Sequence, residues 1–467
     1  MTTTTVRPAG RPTRAPAPPV RSGVVLFAAL LGFFMIGLDA SAVNVALPRI
    51  GEALGGSTTG LQWIVDAYTL MFAALLLSAG ALSDRLGANR VFAAGIAVFT
   101  VASAACGLAG NTGVLIGARL LQGSAAAVVL PSSLALVRWA FPDAAERGRA
   151  IAMWTVGGAV STAAGPVVGG ALTSSLGWRT IFFLNLPVGL LTLAMLTKVP
   201  GAPRRAAQLD PLGQLLAVLA LGGLIYGVIQ AGASGFSTPS TLIGLLVAAV
   251  AGAAFLVTEA RVGDPMVPLS LLRSRTTAIC LTVGFAVNAA FYGVIFALSL
   301  FFQQVLGQSA IAAGVMFLPM TALVALANMS SARAAVRFGY RMPIAAGQLV
   351  CALGLLALLG VGIGAGTSRP LLAVLLIPTG IGLGFAVPSL TAAMLSDLPA
   401  ERAGLAGGIF NAGRQMGGAL AVAVFGALVS HPGSFVPGLR LSLLSAAVLL
   451  LVTFVATVFL PGRNSRR

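Results

Sequence analysis

Four ionisable side chains fall inside long apolar runs: Asp39, Asp66, Arg119 and Arg414. An embedded charge costs about 2.5–3.5 kcal/mol on insertion scales, so each of the four is read first as functional. Taking about 1.5 Å of rise per residue, Asp39 lies roughly 12 Å, Asp66 about 8 Å and Arg119 about 9 Å from the same ends of their helices. Two carboxylates and a guanidinium at similar depth can hold and release a proton, because burial favours the neutral acid while a nearby arginine favours the carboxylate. Blander roles stand beside this one. Asp66, next to Gln62 and Trp63, has the alternative of a helix-start residue reached by water. For Arg119 the alternative is a packing ion pair, and Arg414 has no embedded acid in its half of the chain to partner it.

Other chemistries find little support. Cys106, Cys280 and Cys351 sit in apolar stretches without metal or redox spacing. The single histidine, His431, follows a serine and precedes Pro432 with no cysteine or carboxylate near it. No Gly-x-x-x-x-Gly-Lys-[Ser/Thr] motif occurs, and the only lysine, Lys198, lies between apolar runs, which excludes ATP-driven transport by this chain alone. Neither a metal site nor a cofactor is expected.

The elements that carry these residues are membrane helices. Only 8% of the 467 residues are charged and 58% are hydrophobic, with a mean hydropathy of +0.98. A soluble domain has about 25% charged residues, so a soluble enzyme of this length is excluded. Fourteen apolar runs of about 20 residues follow one another between residues 24 and 460. Residues 1–22, rich in Pro, Thr and Arg, read as a disordered cytoplasmic tail, and the first helix as retained. An even number of helices puts both termini on one side. That side then collects 22 of the 28 basic residues, against four on the other, Arg49, Arg179, Arg369 and Arg440. Positive loops face the cytoplasm, so both termini are cytoplasmic and the net charge of +17 is a topology signal rather than a nucleic-acid footprint.

An internal repeat supports the count. Gly123, Pro131-Ser132 and Glu146-Arg147 recur as Gly380, Pro388-Ser389 and Glu401-Arg402, offset by 257 and then 255 residues. Arg85-Leu86-Gly87 recurs as Arg337-Phe338-Gly339, offset by 252. The fourth helix thus corresponds to the twelfth. The fold class is an all-α integral membrane protein with two six-helix bundles related by a pseudo-two-fold repeat, residues 23–200 and 261–460, joined by two inserted helices in 201–260, with a tail at 461–467.

Two further stretches have mechanical character. Gly80-Ala81-Leu82-Ser83-Asp84-Arg85-Leu86-Gly87-Ala88-Asn89-Arg90 forms the turn between the second and third helices, where Asp84 can face a helix N-terminus. Gly165-Pro166-Val167-Val168-Gly169-Gly170 lies inside the fifth helix, where proline breaks a backbone bond and glycines admit a close neighbour. A structural kink and a gating seam are both open there.

At these residues the chain resembles the major facilitator superfamily, in particular its fourteen-helix drug:proton antiporters, the bacterial antibiotic and multidrug exporters. The turn Gly80–Arg90 resembles the superfamily loop motif, and Arg119-Leu120-Leu121-Gln122-Gly123 its fourth-helix motif. The Gly165–Gly170 stretch is similar to the antiporter motif, and Leu38–Pro48, with Asn44, to the first-helix signature. Asn185-Leu186-Pro187-Val188-Gly189 and Asn411-Ala412-Gly413-Arg414-Gln415 point the same way. The resemblance implies a proton-coupling and substrate set of Asp39, Asp66, Arg119, Asn44, Gln122 and Arg414. It further implies a conformational latch of Gly80, Asp84, Arg85, Gly87 and Arg90, and a hinge of Gly165, Pro166, Gly169 and Gly170. Ala88-Asn89 stands where the loop motif has a basic pair. The expected function is export of amphipathic, antibiotic-like compounds by alternating access in the cell membrane, driven by the proton motive force without a cofactor, by a monomer that binds drug, protons and lipid but no nucleic acid. Because no embedded acid stands in the second half, neutral, monocationic or zwitterionic cargo is expected. The rival is transport of a single metabolite; a membrane enzyme or sensor would need a catalytic cluster.

Overall fold

In hydrocarbon every backbone polar group needs an internal partner, and a helix supplies one within a single segment. The computed structural model describes residues 22–204, 209–263, 265–364, 366–396, 403–430 and 435–460. The two tails, Glu401-Arg402 and His431 fall outside them. Apart from a single turn at Leu269–Leu272, the helices in chain order are α1 (Ser22–Leu54), α2 (Thr58–Leu86), α3 (Ala88–Gly107), α4 (Thr112–Ala140), α5 (Ala144–Ser175), α6 (Thr180–Leu196) and α7 (Pro211–Ser234). They continue with α8 (Pro239–Arg261), α9 (Arg275–Val305), α10 (Ala310–Phe338), α11 (Arg341–Gly360), α12 (Arg369–Ser396), α13 (Ala403–Val429) and α14 (Phe435–Val458). Among the described residues thirteen are long and apolar enough to cross a membrane, and α6 is the shorter apolar one.

Local chemistry explains the departures from plain apolar runs. α6 is interrupted at Leu184, because Pro187 has no N–H to give the Phe183 carbonyl. Pro378 leaves Val374 without a donor in the same way, and α12 is interrupted at Leu376. α5 begins at Ala144, earlier than its apolar run, because Asp143 Oδ1 caps it, accepting from the N–H groups of Ala145 and Glu146 at 3.0 and 2.9 Å.

The helices pack as a repeated pattern. α1 against α5, α2 against α4, α3 against α4 and α3 against α6 are matched by α9 against α13, α10 against α12, α11 against α12 and α11 against α14. The repeat reaches single contacts: a Cβ on Gly123 would strike the Tyr68 carbonyl of α2, and one on Gly380 the Met320 carbonyl of α10. Only a residue without a side chain lets those backbones touch. The two groups meet along α2–α13 and α5–α10, again a symmetric pair. α7 and α8 form a hairpin whose first helix packs on α2 and α13, beside one of those seams. Gln214 ties it there, donating from Nε2 to the Ala74 carbonyl at 2.9 Å and accepting from the Ser78 hydroxyl.

The side bearing the start of α1 and the end of α14 is the terminal side; the opposite one is the far side. Hydrogen bonds join the two groups toward the far side. Ser299 Oγ donates to the Asn44 carbonyl at 2.7 Å, Gln303 Nε2 to the Val45 carbonyl at 2.9 Å, and the Ile311 N–H to Ser174 Oγ at 3.0 Å. Gln62 Nε2 adds a bond to the Ala423 carbonyl at 2.9 Å.

Candidate functional site

Five helices of the first group converge on one polar cluster. α1 contributes Asp39 and α4 contributes Arg119 and Gln122, one turn apart on the same face. Arg119 is only 1% exposed and makes an ion pair with Asp39. Its Nη1 also donates to Gln122 Oε1 at 2.8 Å and its Nε to the Ile64 carbonyl of α2 at 3.0 Å. Tyr68, a turn further along α2, lays its ring 4.2 Å from the guanidinium carbon. The second carboxylate oxygen of Asp39 accepts from Gln122 Nε2 at 2.9 Å and from Asn185 Nδ2 at 3.0 Å. Both amides also donate to Ser103 Oγ of α3, at 3.2 and 2.9 Å, and Ser103 donates to the Phe182 carbonyl at 2.8 Å.

A buried charge pair needs its remaining lone pairs and protons satisfied, and this cluster does so with neutral amides and a hydroxyl. Of the two, Asn185 stands just past the interruption of α6, in a motif visible in the sequence. Ser103 is a lone serine in an apolar helix, and nothing local in the sequence marks it.

Asp66 does not join the cluster. It is fully buried, beyond the reach of surface water, and neither carboxylate oxygen has a hydrogen-bond partner among the described residues. It lies between Gln62, which bonds α13, and Leu70, which packs with Ala419 and Ala423 of α13, so the α2–α13 seam holds it. Asn44 also belongs to a seam: its amide donates to the Ala40 carbonyl at 3.0 Å, while its own carbonyl accepts from Ser299 of α9. Arg414 is half-buried in the second group; its Nη2 donates to Asn288 Oδ1 at 3.1 Å. The embedded residues therefore divide into one closed cluster and three outliers.

The loop residues stand at the terminal side. Gly87 has φ +96°, a conformation that suits glycine, and turns the chain from α2 into α3. Asn89 accepts the Ala202 N–H at 3.1 Å, so the residue replacing a basic one ties down the segment that leaves α6. Asp84, Arg85 and Arg90 are exposed, and Gly80 has open space where a Cβ would point. Asp84 makes no ion pair with a described residue, but acts electrostatically on Arg138 at the end of α4.

In α5 the glycines are contact points. A Cβ on Gly165 would strike the Ser41 hydroxyl and one on Gly169 would meet the Ala42 backbone of α1 at 2.7 Å. Gly170 faces Ala310 and Ile311 of α10, and the Pro166 carbonyl touches Gly314 of the same helix. The stretch is thus clamped between α1 of its own group and α10 of the other. The three cysteines are buried and not joined in disulfides, and no group of three metal-ligating side chains occurs among the described residues.

Comparison with known proteins agrees with this architecture. The family model described as Major Facilitator Superfamily matches residues 29–422 and, in a second alignment, 285–467. The chain is 37% identical over 449 residues to the methylenomycin A resistance protein of Streptomyces coelicolor, covering 96% of this chain and 94% of that one. It is 39% identical over 409 residues to the multidrug resistance protein Stp of Mycobacterium tuberculosis, covering 87% of this chain and 76% of the relative. Among solved structures, a POT family transporter in complex with 5-aminolevulinic acid superposes with a TM-score of 0.70 over 93% of this chain and 95% of that one, at 14% identity, a likeness of fold.

Proposed function

The chain belongs to the Major Facilitator Superfamily, and on that premise we propose that it exports amphipathic, antibiotic-like compounds in exchange for protons. Its relatives named for antibiotic and multidrug resistance, at 37% and 39% identity, support the cargo class. The observation that carries the coupling is the buried Asp39–Arg119 pair, a carboxylate held by three side chains of one group.

A proton arriving at Asp39 from the far side removes one charge of the pair. Arg119 then keeps Gln122 and the Ile64 carbonyl but loses its ionic partner, which shifts the balance between the two packings of the halves. Asp66, in the seam itself, is the second acid whose charge depends on which side is open. The far-side hydrogen bonds hold the two halves together there, which supports loading of cargo from the terminal side in this conformation. The arginine distribution supports a cytoplasmic terminal side in the cell membrane. Both halves are in one chain, so a monomer suffices. Each charge moved inward contributes about 2.3 kcal/mol per 100 mV of membrane potential.

Vesicles with an imposed pH gradient test this reading. Wild-type protein is expected to move dye up its gradient, and Asp39→Asn and Asp66→Asn to lose gradient-driven accumulation by about tenfold or more. Normal coupled transport in both variants removes the two acids from the mechanism. A narrower reading, export of one antibiotic, is favoured by the near full-length match to the methylenomycin A resistance protein. A panel of unrelated drugs in the same vesicles separates it from multidrug export.

A further inference from the structure

Arg414 is the embedded charge that the Asp39 cluster leaves unused. Its Nη2 reaches Asn288 Oδ1 of α9 at 3.1 Å and its Nη1 reaches Asn411 Oδ1 at 3.4 Å. Asn288 Nδ2 donates back to the Arg414 carbonyl at 2.8 Å, which aims the amide oxygen at the guanidinium. The Nε is buried and has no partner among the described residues. Amide oxygens solvate a cation but do not neutralise it, so Arg414 differs in kind from Arg119, whose charge Asp39 cancels.

No described carboxylate lies within ion-pair distance of Arg414. Asp66, the remaining embedded acid, is on the facing helix. Gln62 on Ala423 and Leu77 on Gly408 set an antiparallel register that puts Asp66 level with Ala419, five residues or about 7 Å toward the far side of Arg414. Side chains on a helix lean toward its N-terminus, so the arginine on α13 leans toward the terminal side, away from Asp66.

Aromatic side chains surround the arginine. Gly284 of α9 makes room for the arginine: a Cβ there would stand 3.3 Å from the Arg414 stem. Phe410 lies 5.8 Å from the guanidinium, and the Tyr292 ring packs on Gly418, one turn along α13 from Arg414. Ala412, two residues before Arg414, shares a buried cluster with Tyr68 and Phe72 of α2, which places this group beside the boundary between the two halves. Arg414 is half-buried, so the site is not sealed as the Asp39 cluster is.

We propose that Arg414, presented by Asn288 and Asn411, is the recognition point for an anionic group on the cargo, a carboxylate or a similar delocalised oxyanion, with Phe410 and Tyr292 against its apolar part. The proposal rests on the efflux reading and narrows it. A carboxylate supplies the charge that the amides cannot and accepts from the donors left over, whereas a cation meets an uncompensated like charge. It turns the expectation of neutral, monocationic or zwitterionic cargo toward molecules that carry a negative group, zwitterions included.

Rhodamine B and its ethyl ester, which differ by a carboxylate, are suitable probes for binding to the full chain in nanodiscs. Wild-type protein is expected to bind the acid about tenfold or more tightly than the ester. Arg414→Gln is expected to bring that ratio to about one. Asn288→Asp, nearly isosteric, provides an internal counter-charge and is expected to do the same should the glutamine variant fail to fold. A wild-type ratio of one, or a ratio preserved in Asn288→Asp, overturns the proposal while leaving efflux standing. If wild-type vesicles move neither dye nor any of a panel of amphipathic cations, the efflux reading itself fails and this one with it.

Discussion

At the residue scale the two embedded acids are held in opposite ways. Asp39 is fixed by Arg119, Gln122 and Asn185, and removing one partner of a buried ion pair leaves the other charge uncompensated. Asp39→Ala is therefore expected to lower unfolding stability by about 3–5 kcal/mol, and the double change Asp39→Leu with Arg119→Leu to recover most of it. Thermal unfolding of purified protein in detergent checks this, and equal melting of single and double variants would show that the pair carries no such energy. Asp66 has no ion-pair partner to strand among the described residues, so Asp66→Asn is expected to melt within about 1 kcal/mol of wild type even where transport is uncoupled. The separate positions of these acids were legible, since each is a lone charge in an apolar run. Their separation into a paired acid and a lone one was not, because it depends on which helix each faces.

At the scale of elements, glycine decides how close helices come. Gly123 and Gly380 occupy equivalent places in α4 and α12, each against a carbonyl of the helix it crosses. Gly123→Ala and Gly380→Ala are each expected to destabilise by about 1–3 kcal/mol through overpacking. Gly117→Ala, in the same helix but with open space around it, is expected to be neutral or slightly stabilising. Comparable melting of all three variants would mean that the close approach is not what holds α2 to α4. The Gly-Pro stretch of α5 shows how far sequence reasoning reaches: it marked a seam, and the contacts identify its neighbours as α1 and α10. Proline alone does not foretell a break: α6 and α12 are interrupted near Pro187 and Pro378, whereas Pro48, Pro131, Pro166 and Pro319 lie inside continuous helices, and apolar windows miss true helix starts because a polar cap such as Asp143 sets them.

At the scale of the molecule, the two halves are joined near the far side by Ser299 to Asn44, Gln303 to Val45 and Ile311 to Ser174. Alternating access requires these contacts to part. Cysteines at Ser174 and Ile311, in a background without the three buried native thiols, are expected to cross-link on oxidation and to stop transport until reductant is added. Full transport by cross-linked protein would show that the α5–α10 seam does not open. α7 and α8, whose purpose the sequence leaves open, pack beside the other seam, where Gln214 binds α2.

Composition and period by themselves pointed to a chain of membrane helices with an internal repeat, because burial in hydrocarbon allows little but apolar helices and repeats survive in spacing; among the described residues thirteen helices are long and apolar enough to cross and α6 is shorter. The arrangement of charge was decided only in three dimensions. Asp39 meets an arginine 80 residues away and an asparagine 146 residues away, and Arg414 meets an asparagine 126 residues back. Hydropathy is a property of one segment, whereas pairing is a property of helix faces, and faces are chosen by packing across the whole bundle.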